Sequence, residues 1–413
     1  MLPKEFEDYT RLLMGDHLYD RLRQGLSQET PVSIRLNPAA DLMVRNAASV
    51  PWSRYGYYLS ERPAFTFDPL LHAGCYYVQE ASSMFAEHVV RHLSTSLPHP
   101  AMVLDLCAAP GGKSLSAWSA LPEGSELYSN EPIRQRAQIL CENLQKWQLP
   151  LRNDLSTRIH ITNCYPRDYQ KSKTDFDLII ADVPCSGEGM FRKDEGAIKE
   201  WSPENVARCS RLQREIISDI WPRLKPGGYL IYSTCTFNAH ENEENVAWIA
   251  DEMGGNFIEI PTEAAWNITG SLTHLQAPVY RFLPGLTRGE GLFLAVIQKK
   301  GTLTPTTKKK KECQALNIME TELLDAMQQA ATAPQVEMDY QQAISYLRRE
   351  AIALPAETPR GLVVVTFRGK ALGLVKNIGN RANNLYPKEW RIKSTHIPES
   401  YETIFRHTEQ DPH

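Results

Sequence analysis

The stretch that decides the fold is Leu104-Asp105-Leu106-Cys107-Ala108-Ala109-Pro110-Gly111-Gly112-Lys113-Ser114. The apolar run Met102, Val103, Leu104 and Leu106 reads as a buried strand that stops at Cys107. Pro110-Gly111-Gly112 breaks it, and a helix-compatible segment follows from Lys113. Strand, small-residue turn and helix is the arrangement by which α/β proteins offer backbone N–H groups to a nucleotide-like ligand. A phosphate-gripping P-loop would need glycine five residues before Gly112, where Cys107 stands, and the spacing G-x-G-x-x-G is missing too. The turn therefore suits a small ligand lying flat over Ala108, Ala109 and Gly111.

On both sides of this turn the chain alternates strand and helix from Ala101 to Lys300, which predicts a largely parallel sheet covered by helices, an α/β core. Leu127-Tyr128-Ser129 is a second strand, and Pro132 opens a helix to about Trp147. Ile159-His160-Ile161 and Leu178-Ile179-Ile180-Ala181 are a third and a fourth strand. A helix over Glu204–Leu224 is stopped by Lys225-Pro226-Gly227-Gly228, Tyr229–Tyr232 is a fifth strand, and a helix begins near His240. Strands near Tyr280 and over Leu292–Ile297 close the unit.

The 413 residues are too many for one compact core, so two or three domains are expected. We place the boundaries at 1–95, 96–300 and 316–413, with a linker over 301–315. The first domain is α+β: an amphipathic helix over 1–26 (Phe6, Tyr9, Leu12, Leu13), a strand closed by Pro38, and a helix opening at Gln79 and running to about His92. The third has helices over Met319–Met327 and Asp339–Glu350, then a hairpin of Gly361–Phe367 and Ala371–Val375 around Gly369. A net charge of −4 means that any polyanion must meet a local basic patch, for which Lys308–Lys311, Arg35, Lys193 and Lys376 are candidates. No apolar run is long enough to span a membrane, and the acidic start carries no export signal. The eight cysteines form no C-x-x-C pair, so no metal site is expected, and they read as reduced, cytosolic thiols.

Ligands in open parallel sheets bind outside the carboxyl ends of the strands. The second strand ends at Glu131, placed to accept from ribose hydroxyls. The fourth ends in Asp182-Val183-Pro184-Cys185-Ser186-Gly187, and the fifth in Ser233-Thr234-Cys235-Thr236. Each cysteine alone would pass as a small buried hydrophobe. Two of them on one polar rim, one beside Asp-x-Pro, point to thiolate chemistry. Addition of a thiolate to carbon 6 of cytosine makes carbon 5 able to attack a methyl group. An acid assists at ring nitrogen 3, and a second thiol aids release.

The chain resembles the Sun/Nop family of RNA cytosine-5 methyltransferases, most closely its bacterial RsmF-type ribosomal RNA members. The resemblance is carried by Ile34–Pro38, Tyr77–Glu80, Cys107–Lys113, Asp182–Gly187, Phe191–Asp194 and Ser233–Thr236. In the tail it rests on Gly373–Lys376 and Asn384–Pro387. It implies a Rossmann-like methyltransferase core dependent on S-adenosylmethionine, flanked by an N-terminal α+β RNA-binding domain and a small, partly β, PUA-like C-terminal RNA-binding domain. It implies Cys235 as nucleophile, Cys185 as the aid to release, and Asp182 against both cofactor and base. Cys107, Ala108, Ala109, Pro110, Gly111, Gly112, Lys113, Glu131 and Arg136 would line the cofactor site. Tyr165 stands where the family carries an acid near the adenine. The implied partner is 16S ribosomal RNA or the small subunit, met by a cytoplasmic monomer, with a base flipped out of its stack. The same chemistry on transfer RNA, or a non-catalytic RNA-binding factor on this fold, are the alternatives. The second has no use for Cys185, Cys235 and Asp182 together.

Overall fold

The computed structural model describes residues 2–151, 158–172, 174–303, 316–394, 396–398 and 401–407. The N-terminal part opens with α1 (Lys4–Ser27), followed by β1 (Val32–Leu36), β2 (Leu42–Val44), β3 (Ala48–Ser49), β4 (Gly56–Leu59), α2 (Pro69–His72), β5 (Tyr76–Val78) and α3 (Phe85–Ser94). A four-stranded sheet forms in the order β3-β4-β1-β5. The expected amphipathic helix is broken in phase: Gly15 has φ 73° and ψ 163°, so the two halves do not share one apolar stripe, and Leu12 is 87% exposed. Gln79 does not open a helix either. It leads into a short 3₁₀ turn over Ser82–Met84, and its carboxamide donates to the hydroxyls of Ser83 and Ser116.

The central part runs β6 (Met102–Asp105), α4 (Gly112–Trp118), β7 (Glu126–Asn130), α5 (Arg134–Gln148), β8 (Arg158–Thr162), α6 (Tyr169–Ser172) and β9 (Phe176–Asp182). It continues through α7 (Glu195–Glu200), α8 (Pro203–Ile220), β10 (Leu224–Thr234), α9 (Glu243–Met253), β11 (Gly255–Phe257), β12 (Val279–Phe282) and β13 (Leu292–Lys299). The sheet order is β11-β13-β10-β9-β6-β7-β8, with β12 also paired to β13. Strands β6 to β10 pair in parallel, while β11, β12 and β13 are antiparallel additions. The chain builds outward from β6 through β7 to β8, then returns to the other side of β6 with β9. That reversal opens a crevice between β6 and β9 at their carboxyl ends. Several expected ends shift. Helix α5 starts at Arg134, because Glu131 Oε1 accepts from Ile133 N and turns the chain first. Helix α8 ends at Ile220, and Leu224 already belongs to β10, whose register with β9 slips between Leu224 and Tyr229 to absorb Pro226 and the glycines. Helix α9 starts at Glu243, after a polar loop.

The C-terminal part comprises α10 (Glu322–Gln329), β14 (Gln335–Glu337), α11 (Tyr340–Leu347), β15 (Gly361–Phe367), β16 (Lys370–Asn377), β17 (Ala382–Asn384) and β18 (Phe405–His407). The expected hairpin is β15–β16, turning at Gly369 with φ 70°. Asp339 caps α11 by accepting from Gln342 N. This part packs straight onto the N-terminal one. Ile34, Leu36 and Tyr76 share one buried core with Ile344, Val375 and Phe405, and β18 pairs antiparallel with β2. The lysine run 308–311 and most of the expected linker lie outside the described residues.

Candidate functional site

The crevice between β6 and β9 opens into a cavity of about 400 Å³. Of the expected residues, Cys107, Ala108, Ala109, Pro110, Gly112, Lys113, Asp182 and Cys235 line it. The turn is pinned to the neighbouring strands, with Leu106 N donating to Ile180 O and Ala108 N to Asn130 O, both at 2.8 Å. Gly111 caps α4 with φ 122°, and a Cβ on Gly112 would stand 3.3 Å from the Gln79 carboxamide. Behind the turn Asp105 is fully buried. Its Oδ2 accepts from Ser114 Oγ at 2.7 Å, while its Oδ1 has no partner. Burial pushes this carboxyl up to about 7, against the Ser114 hydrogen bond and with help from the Asp182 charge. A small-residue cradle of Ala108, Ala109 and Gly112 along this cavity, with an orphaned buried acceptor behind it, fits a flat ligand laid against the turn.

Asp182, at the end of β9, accepts from Ser233 Oγ at 2.8 Å and pairs with Lys113 Nζ at 2.9 Å. Burial alone would lower the Lys113 ammonium, but the Asp182 carboxylate outweighs it and holds the pKa above its ordinary value. Strand β10 lies in parallel register beside β9, Ser233 opposite Asp182, so Cys235 emerges beside that ion pair. The loop after β9 folds back over the end of β10, with Val183 N donating to Ser233 O at 3.1 Å and Gly189 N to Cys235 O at 2.8 Å. A Cβ on Gly189 would lie 2.6 Å from Cys235 O, so only glycine permits this approach. The result places Cys185 Sγ 3.2 Å from Cys235 Sγ. The hydrogen bond to Cys235, then burial, pushes the Cys185 thiol well up. Either thiol can donate across this contact.

What fixes this loop pair is a buried polar network that the sequence reading passed over. Glu188 Oε2 accepts from the backbone N–H groups of Phe237 and Asn238, and its Oε1 accepts from Trp201 Nε1 and Asn238 Nδ2. Glu241, raised by burial, accepts from Ser186 N, Asn238 Nδ2 and Gln213 Nε2. Gln213 also donates to Pro184 O, and Ser186 Oγ meets Thr236 Oγ1 at 3.0 Å. The signal available was the polar run Asn238–Asn245, too polar to follow a central strand without a buried partner set.

Six other expected residues stand elsewhere. Glu131 is buried and pairs with Arg136 at 3.4 Å, and Arg136 Nη2 donates to Ala109 O, so both brace the turn from behind. Tyr165 is 56% exposed, under the Arg167 guanidinium, and does not line the cavity. Asn163 holds that corner instead, donating to Glu131 O and Pro132 O. Arg35 cannot touch phosphate: it is fully buried and bonded to Glu87, Ser53 and Ser119. Lys193 pairs with Glu290, and Lys376 is exposed on β16. Among the described residues no group of His, Cys, Asp or Glu side chains could hold a metal ion, and no helix is long and apolar enough to cross a membrane.

Three comparisons bear on this site. Residues 96–298 match the family described as 16S rRNA methyltransferase RsmB/F, residues 2–81 the N-terminal domain of 16S rRNA methyltransferase RsmF, and residues 333–392 the methyltransferase RsmF PUA domain. Ribosomal RNA small subunit methyltransferase F of Aliivibrio salmonicida is 28% identical, covering 82% of this chain and 85% of that one. Its namesake from Klebsiella pneumoniae is 26% identical, covering 94% and 96%. The crystal structure of NSun6 from Pyrococcus horikoshii with SFG shares the fold, with a TM-score of 0.59 at 18% identity over 73% of this chain and 99% of that one. Matched in all three of its parts, the chain belongs to the RsmB/F family of 16S rRNA methyltransferases, with the N-terminal and PUA domains of the RsmF type.

Proposed function

We propose that this chain methylates carbon 5 of a cytosine in 16S ribosomal RNA, using S-adenosylmethionine, through a covalent adduct on Cys235. The observation that carries the reading is the 3.2 Å approach of Cys185 Sγ and Cys235 Sγ beside the Asp182–Lys113 pair, on the rim of the β6–β9 cavity. When held over Cys107–Gly112, the cofactor supplies an electrophilic methyl group. The chain's own residues make the acceptor. Cys235 Sγ adds to carbon 6, and the displaced ring electrons make carbon 5 nucleophilic. Asp182, fixed by Ser233 and Lys113, sits where it hydrogen-bonds ring nitrogen 3 or the adjacent amine. Once carbon 5 carries the methyl group, loss of its proton to solvent rebuilds the ring double bond and expels Cys235 as a thiolate. Cys185, 3.2 Å away, donates its S–H to that leaving thiolate. The chain acts as a monomer in the cytoplasm. Its exposed large apolar side chains, such as Leu12, Ile139 and Leu212, are scattered over separate elements, which favours the monomer.

The test is methyl transfer from labelled cofactor to 16S ribosomal RNA. Cys235→Ser abolishes transfer, and Cys185→Ala leaves a protein–RNA adduct that survives a denaturing gel. Persistent methylation by the Cys235 variant removes the nucleophile, and absence of an adduct with the Cys185 variant removes its role in release.

A further inference from the structure

Cys235 is bracketed by two carboxylate–lysine pairs, and only one of them is used above. Asp182–Lys113 lies on the β9 side of β10. On the other side β13 runs antiparallel to β10, with Phe293 opposite Thr234, so the residues entering β13 come in alongside Cys235. They are Glu290 and Gly291. The Gly189 backbone touches both neighbours: its missing Cβ would lie 2.6 Å from Cys235 O and 3.2 Å from Glu290 O. Glu290 lines the same cavity as Cys235 and pairs with Lys193. Its backbone is fixed, since Glu290 N donates to Glu80 Oε1 at 2.8 Å, and Gly291, at φ 116°, leaves room for the Phe237 ring that a Cβ would meet at 2.7 Å.

The geometry of a pyrimidine says what this second pair faces. Carbon 6 has two ring neighbours, carbon 5 and nitrogen 1. With carbon 6 on Cys235 and carbon 5 turned to the cofactor turn on the β6–β9 side, nitrogen 1 and its ribose must point the other way, towards β13. From this we infer that Glu290 accepts a hydrogen bond from the 2′-hydroxyl of the target nucleotide, with Lys193 beside it on the adjoining phosphate, so that this pair selects ribose over deoxyribose. The 2′-hydroxyl is the group by which a protein tells RNA from DNA, and a hydrogen bond to a charged acceptor is the stronger kind. The inference rests on the cytosine-5 reading of the site.

The test compares two transcripts of small-subunit ribosomal RNA, one with cytidine and one with 2′-deoxycytidine at every cytosine, as substrates for the full chain. The wild type prefers the first in kcat/KM by roughly tenfold or more, as the loss of one charge-assisted hydrogen bond requires. Glu290→Ala brings the two substrates to within about twofold of each other, and Glu290→Gln, whose amide oxygen still accepts, keeps an intermediate preference; the Gln variant also carries the test if the Ala variant is unfolded by circular dichroism. Equal use of both transcripts by the wild type, or an unchanged preference in both variants, overturns the role of Glu290 while leaving the methylation reading in place. Methylation of neither transcript by the wild type overturns that reading, and the role of Glu290 with it.

Discussion

At residue 189 a single methyl group separates a working sulfur pair from a broken one. Gly189 has an ordinary backbone conformation, so the penalty of Gly189→Ala is the clash with Cys235 O at 2.6 Å. We expect more than a tenfold loss of kcat with a cost of about 1–3 kcal/mol in urea unfolding, measured on the same preparation. Asp105 makes a prediction in pH. Its folded-state pKa, about 7, lies above its value in the unfolded chain, so the native state holds the extra proton and stability falls as pH rises towards 7. Between pH 5 and pH 8 the natural chain loses about 3 kcal/mol that Asp105→Asn does not, by urea unfolding at the two pH values. At this scale the sequence was legible where residue type and chain position coincide. Cys185, Cys235 and Asp182 announce themselves by following strand ends. Glu188, Glu241 and Glu290 do not, because nothing local distinguishes a buried carboxylate from a surface one. The direction of Tyr165 could not be read, because one side chain's direction after a strand depends on the turn that follows, here the Pro166–Asp168 turn.

Among the elements, β1 and α3 are locked by an ion pair with no solvent access. Arg35 Nη1 lies 2.5 Å from Glu87 Oε2, and both side chains are fully buried. Arg35 also reaches Ser119, just past α4, so one guanidinium ties the N-terminal sheet to the central domain. Without Arg35, Glu87 keeps Arg91, Ser53 and the Arg54 N–H as partners, whereas without Glu87 the Arg35 guanidinium loses its buried counter-charge. Glu87→Met therefore costs about 3–5 kcal/mol in urea unfolding, and Arg35→Met with Glu87→Met recovers more than half of it. The element order of the central domain could be read from the sequence because apolar runs and turn residues are local signals. The ends could not: Lys225-Pro226-Gly227-Gly228 looks like a stop, yet pairing of Leu224 and Tyr229 with β9 on either side of it draws it into β10 as a bulge. The break of α1 at Gly15 escaped notice for the opposite reason, since one glycine inside a helical pattern is usually tolerated.

Taken whole, the N-terminal part shares buried apolar residues with the central part, Phe85 with Phe282 and Phe6 with Phe191, as well as with the C-terminal part. The first and third parts of the chain share their buried apolar residues. Their seam contains a carboxylate, Asp68, that accepts from Tyr76 OH at 2.7 Å and Tyr401 OH at 2.8 Å, with burial raising its pKa. Tyr401→Phe leaves that buried oxygen with one donor fewer and lowers stability by about 1–2 kcal/mol, read as a fall in thermal midpoint. Sequence composition marks the three parts, because charge and turn residues cluster between them. It is silent on which residues those parts bury against each other, since contacts between distant segments impose no period on either one.

The pairing of β2 with β18 bears on how the chain is made. Val44 lies opposite Phe405, which leaves the ribosome about 360 residues later. At ~5–20 residues per second this is roughly 20–70 s of synthesis. Late in that interval, once residue 299 has emerged, the strands described for the central sheet can close while β2 still waits for β18. Closure of this seam thus waits for residues 405–407, and a nascent chain stalled before them displays it open to chaperones and proteases.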